Sequence, residues 1–140
     1  MRELVATGQT GQTKTANMSY KVKISTADVE NAGTRDHIRM RLFGEDGEAD
    51  IKLRNSIGLK KADNREFDEV SAKNVGIMKS VSISLENVKL RDKCYMSIVE
   101  IIADGNTYNV PVDQWVSIDP IKIDVNIESG LGTFIENFIG

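Results

Sequence analysis

Chemistry could first reside in the segment Asp28-Val29-Glu30-Asn31-Ala32-Gly33-Thr34-Arg35-Asp36. Asp28, Asn31, Thr34 and Asp36 supply carboxylate, amide and hydroxyl oxygens, and Gly33 permits a tight turn. A loop holding calcium with six to eight oxygens is built from such materials. The spacing is not that of an EF-hand, and Asp, Asn and Gly also dominate ordinary turns. Catalytic chemistry has fewer candidates. The chain has one His, His37, and one Cys, Cys94. Nucleophilic catalysis of the Cys-His kind could use only that pair, and a zinc site of several His or Cys ligands cannot be assembled. A strand Cys is usually inert packing, and a single His at a strand start is usually a surface side chain. The acids Glu45, Asp46, Glu48 and Asp50 crowd one turn and read as a solvated loop. No G-x-S-x-G, G-x-x-x-x-G-K, H-E-x-x-H or C-x-x-C motif occurs. A binding module is expected, not an enzyme.

A second segment has a different character. Residues 51–61, IKLRNSIGLKK, carry four bases and no acid, with Ile57 and Leu59 on either side of Gly58. An apolar tip ringed by Lys60, Lys61 and their neighbours suits the headgroup region of a membrane, each base near an anionic surface contributing ~1 kcal/mol. The competing reading folds Ile57 and Leu59 back onto the body and pairs the acids of residues 45–50 with these bases.

The elements that must position these loops are strands. Tyr20, Val22 and Ile24 alternate with Lys21, Lys23 and Ser25, the period of two of a half-buried strand. Ile38, Met40 and Leu42, then Ile51 and Leu53, then Val81, Ile83 and Leu85 repeat the pattern. Residues 95–102 are apolar throughout, as in a central strand, and Asp104-Gly105 is a two-residue hairpin turn into Tyr108, Val110 and Val112. Residues 67–71 and 114–118 are weaker strand candidates. Eight short strands without a long helical pattern predict an all-β, antiparallel eight-stranded sandwich over residues 19–118. The polar opening, residues 1–18, reads as a flexible leader. Residues 119–140 read as an extension or linker, with an alternating run over 121–127 and helical spacing of Leu131, Phe134, Ile135 and Phe138.

Composition bounds the partners. The 140 residues are 40% hydrophobic and 28% charged with a net charge of −3, so no overall positive field draws the chain to nucleic acid. No stretch approaches the roughly 18 apolar residues of a membrane span, and the opening lacks the apolar run of a signal peptide. The chain reads as soluble, which leaves peripheral-membrane and secreted settings both open.

Residues 20–43, YKVKISTADVENAGTRDHIRMRLF, followed by GEDGEADIKL, resemble the opening of PLAT domains, the sandwich modules of lipoxygenases, animal lipases, polycystins and clostridial phospholipase C toxins. Residues 76–85, 99–105 and Asp113-Gln114-Trp115 resemble the family's later strands and terminal Trp. The resemblance implies a noncatalytic domain that attaches an enzyme or receptor to a phospholipid surface, often with calcium at the loop tips, or to a protein partner. Gly33, Thr34 and Asp92 fall on the family's ligand positions. Asn31 stands where the toxins have an Asp, with Asp28 or Asp36 as substitutes. Leu59-Lys60 replaces an Asn-Asp pair, and Arg65 replaces the acid of a D-x-F. The resemblance therefore implies either a calcium-assisted membrane module using Ile57, Leu59, Lys60, Lys61 and Trp115, or a protein-interaction module with a vestigial calcium loop.

Overall fold

The computed structural model describes residues 17–87 and 92–128. These form nine strands: β1 (Asn17–Thr26), β2 (Ile38–Gly44), β3 (Gly47–Leu53), β4 (Asn64–Lys73), β5 (Met78–Leu85), β6 (Cys94–Ala103), β7 (Asn106–Val116), β8 (Ile121–Asp124) and β9 (Asn126–Glu128). A five-stranded sheet in the order β4-β1-β6-β7-β9 lies against a four-stranded sheet in the order β3-β2-β5-β8, and every pairing is antiparallel.

The alternation in the sequence becomes the two faces of each sheet. Tyr20, Val22 and Ile24 point inward from β1, Ile38, Met40 and Leu42 from β2, and Val81, Ile83 and Leu85 from β5, all at most 2% exposed. Their burial supplies the main stabilising term, about 1.5–3 kcal/mol for each large aliphatic side chain. Tyr20 is buried with its polar end satisfied: its hydroxyl donates to the Lys73 carbonyl and accepts from the Val75 N–H. Burial raises its pKa above the ordinary phenol value.

Asp104 and Gly105 both take positive φ, 51° and 79°, between the paired residues Ala103 and Asn106. That backbone twist matches the twist of the flanking strands. The segments around Val110 and Gln114 join into the single strand β7. Asp113, at φ 44°, accommodates a register shift opposite β6, and the Tyr95 hydroxyl donates to its carboxylate at 3.0 Å.

The run after Pro120 divides between the sheets. β8 pairs with β5 and β9 with β7, with Val125 between them donating its N–H to the Lys79 carbonyl. Ile121, Ile123 and Val125 pack against the core. Residues 121–128 thus close both sheets along one side. Asn17 and Met18, expected in the leader, begin β1. Residues 1–16 and the helically spaced Leu131, Phe134, Ile135 and Phe138 lie outside the described residues.

Candidate functional site: the loop end of the sandwich

Strand direction gathers three connections at one end: 27–37 between β1 and β2, 54–63 between β3 and β4, and, between β5 and β6, the described residues 86–87 and 92–93. Trp115, near the end of β7, stands beside them. Backbone bonds tie the first two loops together. Thr34 and Leu59 form an antiparallel bridge, with N–H to carbonyl distances of 3.0 and 2.8 Å. A Cβ on Gly33 would lie 2.2 Å from the Leu59 carbonyl oxygen, so this approach requires glycine.

That bridge decides which tip residue is buried. Leu59 is 5% exposed and belongs to the core, whereas Ile57 is 78% exposed. Leu59, expected at the membrane, is thereby corrected to a packing residue. Gly58, at φ 82°, turns the chain between the two. The tip is held from below by Arg65, whose guanidinium donates to the Gly58 carbonyl at 3.4 Å and the Asn55 side-chain oxygen at 3.3 Å while lying 4.9 Å from the Phe67 ring centroid. The base standing where the D-x-F pattern has an acid therefore organises the basic loop.

Asn55 is the hub of this end and is 2% exposed. Its amide donates to the Thr34 and Asp36 carbonyls, each at 2.9 Å, and its N–H donates to His37 Nδ1 at 2.9 Å. Sequence reading passed over Asn55, because its partners lie about twenty residues away in a different loop. Asp36 is 3% exposed. Its Oδ1 accepts from the His37 N–H at 2.7 Å and its Oδ2 from the Asn87 N–H at 2.8 Å. It joins the first loop to the third.

The six residues expected around calcium are thus only partly assembled. Thr34 meets Asp92, its hydroxyl donating to Asp92 Oδ2 while accepting from the Asp36 N–H at 3.0 Å. Asp92 Oδ1 accepts from the Lys93 N–H at 3.0 Å. The Thr34 carbonyl already accepts from Leu59 and Asn55. Asp28 and Asn31 are exposed and Gly33 half-buried. Calcium requires six to eight converging oxygens. Among the described residues no three His, Cys, Asp or Glu side chains converge as a metal-holding group. The oxygens of Thr34, Asp36 and Asp92 hold the loops together, and among the described residues they do not by themselves assemble a calcium cage.

Two surfaces remain at this end. A depression of 410 Å³ is lined by Asn31, Asp92, Lys93 and Trp115. Trp115 is 43% exposed, with its ring edge-on to Tyr95 at 5.2 Å between centroids. The other surface is the Ile57 tip with exposed Arg35, Arg54, Lys60 and Lys61; the Arg35 side chain runs beside Gly58. Val29, on the first loop, adds a further exposed apolar side chain. The acids of residues 45–50 do not pair with the loop bases. Glu48 and Asp50 meet Arg41, and Glu45 meets Lys79.

The Cys94 and His37 pair has no catalytic geometry. Cys94 is fully buried, and burial pushes its thiol up to about 12, so it stays protonated across the neutral range. His37 Nδ1 is occupied by the Asn55 N–H.

A two-sheet antiparallel sandwich with its loops collected at one end defines the class. The PLAT/LH2 domain model matches residues 20–126, and the chain belongs to that family. The match takes in β8, beyond the expected limit at residue 118. Over 108 residues, 71% of the chain, it is 24% identical to the mouse lipoxygenase homology domain-containing protein 1, of which it covers 5%. Among solved structures it is similar to coral 8R-lipoxygenase, described as activated by calcium through a C2-like domain, at 22% identity and a TM-score of 0.69, over 78% of this chain and 17% of that one. It is also similar to the alpha toxin of Clostridium absonum, at 20% identity and a TM-score of 0.61, over 78% of this chain and 32% of that one. The chain spans a small part of each relative. In the lipoxygenases the PLAT domain is the noncatalytic part. Among the described residues no helix is long and apolar enough to cross a membrane.

Proposed function

We propose that this domain docks on a phospholipid surface through its loop end, with Ile57 entering the headgroup layer and Arg35, Arg54, Lys60 and Lys61 meeting anionic lipid. The observation that carries the reading is the Ile57 tip. A β-branched apolar side chain stands 78% exposed among four bases on a loop whose base is fixed by Arg65 and Asn55. Leu59, two positions on, is folded inward instead. Trp115 at the rim of the neighbouring depression suits the interface between water and lipid, where an aromatic ring with a polar edge is favoured. Docking carries an attached domain to the membrane, in keeping with relatives whose matched region is a minor part of a longer chain.

Co-sedimentation tests this. Phosphatidylcholine vesicles containing phosphatidylserine are expected to pellet the protein, with binding that weakens as salt rises, and pure phosphatidylcholine is expected to pellet far less. Absence of pelleting on both would turn the reading to the protein-partner alternative, in which the same exposed tip packs against another polypeptide.

A further inference from the structure

Resting on the lipid-docking reading, we infer that this domain meets anionic phospholipid without calcium, its own loop-end bases providing the counter-charge. The oxygens of Thr34, Asp36 and Asp92 are committed to holding the loops together, as described above.

The second observation is how charge is distributed. Five bases on the strands are paired with acids, Lys21 with Asp68, Lys23 with Glu66, Arg41 with Glu48 and Asp50, Lys52 with Glu86, and Lys79 with Glu45, while Arg39, Lys73 and Lys122 on the strands form no ion pair among the described residues. At the loop end Arg35, Arg54, Lys60, Lys61 and Lys93 are exposed and form no ion pair among the described residues. The acids of the same end are used differently. Asp36 is buried under backbone amides, the Asp63 carboxylate accepts from the Lys60 and Asn64 N–H groups, and Asp92 accepts from Thr34 and Lys93, which leaves Asp28 and Glu30 as the exposed acids of the first loop. Free cationic heads are thus left facing outward around an apolar tip, although the chain as a whole carries −3.

The third observation concerns the depression. Lys93 lines it together with Asp92. A divalent cation seated against Asp92 would have a base of like charge as its neighbour, whereas a lipid phosphate is attracted by that base.

The test uses the full chain with phosphatidylcholine vesicles, with and without phosphatidylserine, in chelator or in calcium. The inference expects the same partition onto phosphatidylserine vesicles in chelator as in calcium, and Lys93→Gln is expected to weaken it about fivefold in both. Calorimetric titration of calcium into the lipid-free protein is expected to show no stoichiometric site. Pelleting that requires calcium, or a calcium site in the titration, would overturn the inference while leaving lipid docking standing. No pelleting under any condition would overturn the docking reading itself.

Discussion

Combining Ile57→Asp with reversal of Arg35, Lys60 and Lys61 to Glu is expected to abolish partition onto phosphatidylserine vesicles while leaving the fold intact. Ile57 alone, if its side chain enters the headgroup layer, contributes about 1.5–3 kcal/mol, or roughly 10- to 100-fold in partition. Each base near an anionic surface contributes ~1 kcal/mol. Reversal removes an attraction and adds a repulsion, so three reversals are worth up to ~6 kcal/mol, about four orders of magnitude. None of the four side chains makes an ion pair or hydrogen bond among the described residues, so thermal stability should hardly move. Lys79→Glu is the matching control, because Lys79 lies at the opposite end of the sandwich beside Glu45. It is expected to partition like the parent.

The second large effect concerns stability. Asn55→Ala removes two hydrogen bonds from its amide to the carbonyls of Thr34 and Asp36 and takes the side-chain oxygen away from Arg65. The site is buried at 2% exposure, so water does not simply replace what is lost. Leaving a buried polar group unsatisfied costs about 1–3 kcal/mol. The Thr34 carbonyl keeps its bond from the Leu59 N–H, so the principal loss is at Asp36. Adding the vacated volume, a total of about 2–4 kcal/mol is expected, which lowers Tm by roughly 8–16 °C in a domain of this size. Scanning calorimetry measures it. A change below ~0.5 kcal/mol would show that Asn55 does not organise the loop end. The same variant should loosen the Ile57 tip, since Arg65 loses one of its anchors.

Sequence alternation carried most of the architecture because a strand with one buried face writes its period directly into the chain. Tyr20, Val22, Ile24, Ile38, Met40 and Leu42 all lie where that period puts them. Asp104-Gly105 was equally legible, since the conformation its turn needs restricts the residue types that can form it. The loop end was not legible in the same way. Ile57 and Leu59 lie two positions apart and differ only in the carbon at which the side chain branches, and local pattern treats them alike. A backbone bridge to Thr34, twenty-five positions earlier than Leu59, turns one inward and leaves the other outside. Asp36 has the composition of a metal ligand, but its partner amide on Asn87 lies 51 positions away. The division of residues 121–128 between two sheets also depends on long-range pairing, to β5 and β7. Pattern finds the elements, whereas the use made of a loop oxygen depends on which distant amide reaches it first.

Entry of the Ile57 tip into lipid can be read from a label placed at that position. Cys94, the single native cysteine, is fully buried with its thiol held protonated, so Ile57→Cys can be labelled selectively with an environment-sensitive fluorophore. A blue shift and quenching by lipid-borne quenchers are expected when phosphatidylserine vesicles are added, and neither change for the same label on Asp104→Cys, in the hairpin turn at the opposite end. A label at residue 57 that stays water-exposed while the protein is vesicle-bound would contradict entry of the tip.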